Sequence, residues 1–252
     1  MPSKLAENIL IENLLSLNAV AFLTEEPLRL KSGLVTPIYV DNRKLITHPD
    51  AWHDVIETMA SLIDKWGLEY DVIAGVEAGG LTHSAALAYR LNVPTIYVRQ
   101  RAKTYGDLDR IEGGSVKGKR VLIIEDHIST GLSCLDAIKT LREEGAIVTD
   151  CVSITNFDMT ETAELFKEAG VKVFRMIEFK RIVEKAVEMG MINEEQKATI
   201  MEWLTWNSKG ENCPGCSPWL NCHHARKLIC HSIGSLGGKS EDFPLFIRKL
   251  MY

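Results

Sequence analysis

The chain has 252 residues, 46% of them hydrophobic and 25% charged, with a formal net charge of −5. These are the proportions of a soluble globular protein with one sizeable core and room for an appendage. The acidic balance argues against non-specific nucleic-acid binding. No apolar run approaches the roughly 20 residues that span a bilayer, and the start M-P-S-K-L-A-E-N lacks the apolar core of a signal peptide, so a cytoplasmic location without a membrane partner is expected.

In chain order, residues 5–17 carry apolar side chains at helical spacing. Residues 31–43 read as a short hairpin or strand pair broken by Gly33 and Pro37, and helical periodicity resumes over 49–66. Strand and helix then alternate: strand 72–76, helix 81–91, strand 95–99, a polar connection over 100–114, strand 121–124, helix 132–144, strand 147–155, helix 160–169, strand 171–177. This predicts an α/β fold with a central, mostly parallel sheet flanked by helices. Residues 179–189 and 193–206 read as two closing helices.

The richest chemistry lies in residues 121–133, V-L-I-I-E-D-H-I-S-T-G-L-S. Val121 to Ile124 suit a strand buried on both faces. Glu125 and Asp126 then project at its carboxyl end, where ligands of open α/β sheets bind. His127, Ile128, Ser129, Thr130, Gly131, Leu132 and Ser133 form a turn into a helix, with backbone N–H groups and hydroxyls that suit an anion. The combination predicts a phosphate in the turn and a sugar diol against the carboxylates. Ser and Thr at such a turn also serve simply as helix caps, but two acidic groups at the end of a buried strand are costly unless something uses them.

Glu77, Ala78, Gly79 and Gly80 follow the strand over 72–76. Paired glycines let backbone amides approach an anion closely, although alone they would mark an ordinary tight turn. The connection over 100–114 is long for a compact α/β domain and reads as a lid. With Arg99 before it, its Arg101, Lys103 and Arg110 outnumber Asp107 and Asp109, as a polyanionic substrate requires. Taken singly, Arg101 and Arg110 read as solvated loop charges.

The 121–133 pattern resembles the phosphoribosyl-pyrophosphate motif of type I phosphoribosyltransferases. Three further segments in the same order are similar to the orotate phosphoribosyltransferase family: L-K-S-G-L-V-T-P-I-Y-V-D-N-R over 30–43, D-V-I-A-G-V-E-A-G-G-L-T-H-S-A-A-L-A-Y-R-L over 71–91, and Y-V-R-Q-R-A-K-T-Y-G-D-L-D-R-I-E-G over 97–113. The likeness covers about residues 20–180 and continues more weakly to 207. It implies a type I phosphoribosyltransferase domain over 1–207, with an N-terminal hood from about 1–50 to which 178–207 contribute. It also implies Mg²⁺-dependent transfer of phosphoribose from 5-phosphoribosyl 1-pyrophosphate (PRPP) to orotate, giving orotidine 5′-phosphate and pyrophosphate, by a homodimer whose loop reaches the neighbouring site.

By this resemblance Glu125 and Asp126 hold the ribose, residues 127–133 the 5′-phosphate, and Glu77 to Gly80 the pyrophosphate with Mg²⁺. Lys31 meets the base, Tyr39 is a further substrate-binding residue, and Arg99 with Lys103 meet the leaving group. Three positions depart from the family pattern. Gln100 stands where a second basic residue is common, Tyr105 where a histidine is, and Asn156 at or next to the place of an arginine that meets the orotate carboxylate. An amide cannot form the charged bidentate fork. A phosphoribosyltransferase for another base, and a PRPP-sensing regulator without turnover, therefore stand as alternatives.

Residues 208–252 extend past the resemblance and carry Cys213, Cys216, Cys222 and Cys230, with His223, His224 and His231 nearby. A C-x-x-C knuckle followed by two more cysteines suits a tetrahedral metal, zinc before an iron–sulfur cluster, against the plainer reading of free or buried thiols. Cys134 and Cys151 look structural.

Overall fold

The computed structural model describes residues 2, 4–30, 33–101 and 110–209. The chain begins with helix α1 (Lys4–Ser16), followed by four short strands, β1 (Val20–Phe22), β2 (Leu28–Arg29), β3 (Val35–Thr36) and β4 (Ile38–Val40). These form two antiparallel pairs, β1 with β4 and β2 with β3. A 3-10 helix (Asn42–Thr47) leads into α2 (Pro49–Lys65), which starts with proline in its first turn, where the missing N–H costs nothing.

The alternating part comprises β5 (Val72–Val76), α3 (Gly79–Leu91), β6 (Thr95–Val98), β7 (Ile111–Glu112), β8 (Val121–Ile128), α4 (Leu132–Glu143), β9 (Asp150–Asn156), α5 (Thr160–Glu168) and β10 (Lys172–Ile177). The chain continues through α6 (Phe179–Glu188) and α7 (Glu194–Lys209). Among the described residues one six-stranded sheet forms, in the order β10-β9-β8-β5-β6-β7, parallel except for β7. The strand order reverses at β5, which has β6 on one side and β8 on the other. The crevice beyond the ends of β5 and β8 is thus the topological switch point where such sheets bind ligands.

Residue alternation along β8 explains the two cores. Leu122 and Ile124 pack with Leu14, Met59, Leu87 and Trp203 on the face covered by α1, α2, α3, α6 and α7. Val121 and Ile123 pack with Ala137, Ile138, Leu141 and Phe166 on the face of α4 and α5. Trp203 also donates from Nε1 to the Val35 carbonyl at 3.1 Å, tying α7 to the N-terminal strands. Among the described residues no helix is long and apolar enough to cross a membrane.

Three elements differ from the sequence expectation. Among the described residues no hairpin forms within 31–43: β3 and β4 pair back with β2 and β1, respectively, and not with each other. β8 runs on to Ile128 instead of stopping at Ile124, because β9 supplies partners for Glu125, His127 and Ile128. The carboxylates are therefore strand residues held in register. The polar connection also contains an edge strand, β7, paired antiparallel with Tyr97 and Val98.

Candidate active site

The first wall of the crevice is the end of β8. Glu125 is buried, and burial, reinforced by the neighbouring Cys134 and Asp126, pushes its carboxyl well above the usual carboxylate range. Asp126 is partly exposed and is raised to about 6, chiefly by burial, with the His127 backbone N–H and the Arg43 charge opposing the rise. Asn42 donates from Nδ2 to the Asp126 carbonyl at 2.7 Å and to Thr155 Oγ1 at 3.2 Å. This buried asparagine pins the 3-10 helix onto the strand that carries the carboxylates.

The His127 ring lies in the packed interior, edge-on to Phe157 at 4.4 Å between centroids, with Nδ1 2.9 Å from Thr155 Oγ1. Burial lowers its pKa to about 3, so the imidazole is neutral and any contact with substrate falls to its backbone. Beyond it, Thr162 Oγ1 donates to the Ser129 carbonyl at 3.0 Å, bracing the turn from α5. Gly131 has φ of 73°, and a Cβ there would lie 2.6 Å from the Phe166 ring, so only glycine fits where the turn enters α4. The first N–H groups of α4, around Leu132 and Ser133, have no intrahelical partner by construction and face an anion with the positive end of the helix.

The second wall is the loop after β5. Its Glu77–Ala78 peptide is cis. A Cβ on Gly79 would stand 2.1 Å from Asp126 Oδ1, and one on Gly80 would stand 2.3 Å from the Ile124 carbonyl oxygen. The two glycines thus let the start of α3 rest directly on the end of β8. Gln100 grips this loop twice: its backbone N–H donates to Glu77 Oε2 at 2.8 Å, and its Nε2 to the Glu77 carbonyl at 2.9 Å. A neutral amide accordingly stands here as a clamp on Glu77.

Arg99 and Gln100 share a cleft of about 280 Å³ with Ser133 at the start of α4. Arg99 Nη1 is 3.6 Å from Glu112 Oε1. Arg110, read from sequence as a solvated charge, is instead tied down: Nε donates to the Arg99 carbonyl at 2.8 Å, Nη1 to Thr140 Oγ1 at 2.8 Å and Nη2 to Asp136 Oδ2 at 2.5 Å. It anchors the far stem of the connection to α4.

Asn156 ends β9, buried, and its side chain hydrogen-bonds Asp158. It lines a cavity of about 520 Å³ with Ser129, Thr162 and Arg175 on the α5 side of the sheet. Tyr39 sits half-buried on β4, its hydroxyl 3.5 Å from Arg43 Nη2, and burial raises its pKa. Cys134 and Cys151 lie buried between α4 and β9, their sulfurs 3.6 Å apart.

Lys31, Lys103, Tyr105 and the cysteines Cys213, Cys216, Cys222 and Cys230 lie outside the described residues. Sequence reasoning missed Asn42, whose signal was present in the D-N-R ending of the 30–43 segment, and the clamp by Gln100, which has no local signature. Among the described residues no three acidic, histidine or cysteine side chains converge as a metal cage.

A crevice with an anion seat at each end and carboxylates between them is shaped for a sugar phosphorylated at two positions, the donor that defines the phosphoribosyltransferases. The phosphoribosyl transferase domain family matches residues 42–190. The chain is 41% identical over 190 residues to an orotate phosphoribosyltransferase of Coxiella burnetii, the match covering 75% of this chain and 91% of that one. It superposes on the orotate phosphoribosyltransferase of Aeropyrum pernix with a TM-score of 0.62 at 28% identity, over 73% of this chain and 99% of that one. The UMP synthase of Leishmania donovani matches with a TM-score of 0.68 at 29% identity, over 78% of this chain and 42% of that longer one. The chain belongs to the orotate phosphoribosyltransferase family.

Proposed function

We propose that the chain transfers phosphoribose from PRPP to orotate, releasing pyrophosphate and forming orotidine 5′-phosphate. The observation that carries this reading is the direct seating of the Gly79–Gly80 backbone on the Asp126 end of β8, which gives one sugar a floor shared by two anion seats. The 5′-phosphate takes the turn from His127 to Ser133, the ribose hydroxyls donate to Asp126 and Glu125, and the diphosphate lies against Glu77 to Gly80.

As the bond to the leaving oxygen lengthens, the sugar carbon gains oxocarbenium character and negative charge grows on the diphosphate. Arg99, with Lys103 of the segment that follows, meets that charge, and closure of the 100–114 connection excludes water that would capture the cation. Lys31 and Tyr39 border the base. Asp126 and Glu77 would be the residues to hold a Mg²⁺ ion bound with the donor, which would supply charge neutralisation of the diphosphate.

The second reading, a different acceptor base, is favoured by one observation: Asn156 is neutral and engaged with Asp158. Incubation with PRPP, Mg²⁺ and a panel of bases, followed by pyrophosphate release, separates the two. Release with orotate alone supports the first reading, release with another base the second, and PRPP binding without release points to a sensor. The protein acts in the cytoplasm as a homodimer, which sedimentation tests, with residues 1–207 as the catalytic domain. Cys213, Cys216, Cys222 and Cys230 hold a structural zinc ion, and metal analysis of protein purified without chelator, finding none, would end that assignment.

A further inference from the structure

Orotate differs from uracil by one carboxylate, so an enzyme that prefers it needs a cation where the base lies. The base joins the ribose at the carbon that the diphosphate leaves, so with the ribose placed on Asp126 as proposed above it lies on the side of the crevice where Asn42 pins the 3-10 helix to β8. The next residue, Arg43, is a cation at that place, in addition to the Lys31 proposed for the base. The Arg43 charge acts on the Asp126 carboxylate, its Nε is 2.6 Å from Asp41 Oδ1, and half of its side chain is exposed. Asp41, 15% exposed, fixes the near edge of the guanidinium. The two Nη groups remain, Nη2 only at the outer limit of a hydrogen bond with the Tyr39 hydroxyl, and two parallel N–H donors are the fork that matches a carboxylate.

The other arginines near the crevice are otherwise committed. Arg175 lies between Phe174 and Met176, which pack on the hood side, so alternation turns it to the α5 face, where it pairs with Asp158 at 2.9 Å. Arg110 is saturated by Arg99, Thr140 and Asp136, and Arg99 borders the diphosphate end. We propose that Arg43 is the residue that selects an acceptor bearing a carboxylate, gripping it through Nη1 and Nη2 while Asp41 holds Nε. The proposal rests on the orotate reading above.

Steady-state kinetics of wild type, Arg43→Ala and Arg43→Lys with orotate, uracil and PRPP varied in turn test it, alongside equilibrium binding of PRPP. The expected result for Arg43→Ala is a rise of about 10- to 100-fold in the KM for orotate, the loss of a charge-assisted pair, and a smaller preference for orotate over uracil. Because Arg43 also helps keep Asp126 ionised, the comparison is made at about pH 8, above the Asp126 titration, where KM and binding of PRPP should change much less than the KM for orotate. Arg43→Lys should recover part of the loss, since it keeps the charge but not the fork. An unchanged orotate KM in Arg43→Ala, or an equal loss for PRPP, would overturn the proposal while leaving the proposed reaction standing. Wild type that releases no pyrophosphate with orotate would overturn both.

Discussion

The adjacent glycines 79 and 80 should respond to the same substitution in opposite ways. In Gly79→Ala the three atoms nearest the new methyl group all belong to the Asp126 carboxyl, at 2.1, 2.2 and 2.5 Å for Oδ1, Cγ and Oδ2. A carboxyl group can swing away by the roughly 1 Å needed, and alanine also favours the helix by up to about 1 kcal/mol, so stability should change by no more than about 1 kcal/mol. Activity should not survive the swing. Displacing a substrate-positioning group by about 1 Å costs on the order of 100-fold. In Gly80→Ala the methyl group meets the Ile124 carbonyl oxygen at 2.3 Å, and that oxygen belongs to the central strand. Backbone there cannot yield cheaply, so a loss of about 3 kcal/mol or more is expected. Urea denaturation and PRPP-dependent pyrophosphate release, measured on both variants, check the pair. Full activity in Gly79→Ala, or equal destabilisation by the two substitutions, would refute the direct seating of loop on strand.

Three further outcomes follow from the site. Because Asp126 titrates at about 6, its carboxylate is lost below that pH, and the KM for PRPP should rise about tenfold per pH unit on the acid side; in Asp126→Asn this acid limb should vanish. His127 is held neutral with a pKa of about 3, below the ordinary 6.5, so the unfolded chain takes up a proton that the folded one refuses. Its contribution is complete above pH 6.5 and is lost as pH falls, by about 2 kcal/mol between pH 7 and 5. The raised carboxyls of Glu125 and Asp126 act in the opposite sense, so urea melts of wild type and His127→Phe at both pH values isolate the histidine: the variant should lose about 2 kcal/mol less, and parallel losses would exclude the effect. Gln100→Ala removes the bond from Nε2 to the Glu77 carbonyl but keeps the backbone bond to the carboxylate. The KM for PRPP should rise about 5- to 10-fold, the value of one hydrogen bond of about 1 kcal/mol, and an unchanged KM would deny the clamp.

The strand, turn and helix over 121–144 were legible because an apolar run, an acidic pair and a glycine turn each signal locally. The extension of β8 through Glu125 to Ile128 was not, since it depends on pairing with β9. Contacts that fix the crevice join residues far apart in sequence, as Asn42 does with Asp126 and Gln100 with Glu77. No period or spacing reveals them. Gln100 illustrates the gap well: in sequence it is a missing charge, and in the fold it is a tether. Arg110 shows the reverse, a loop cation whose partners on α4 leave it no role at the surface. His127 stands within the motif in sequence, yet its ring packs on Phe157 and only its backbone remains for the phosphate turn.

This crevice is proposed to carry phosphoribose from PRPP to orotate. The most direct measurement follows both products, orotidine 5′-phosphate and pyrophosphate, from PRPP, orotate and Mg²⁺. The two should appear in equal amounts with wild-type protein, and Asp126→Ala should lower the rate by about 100-fold or more, as loss of a positioning group does. Bound PRPP that yields neither product with orotate would contradict the proposal.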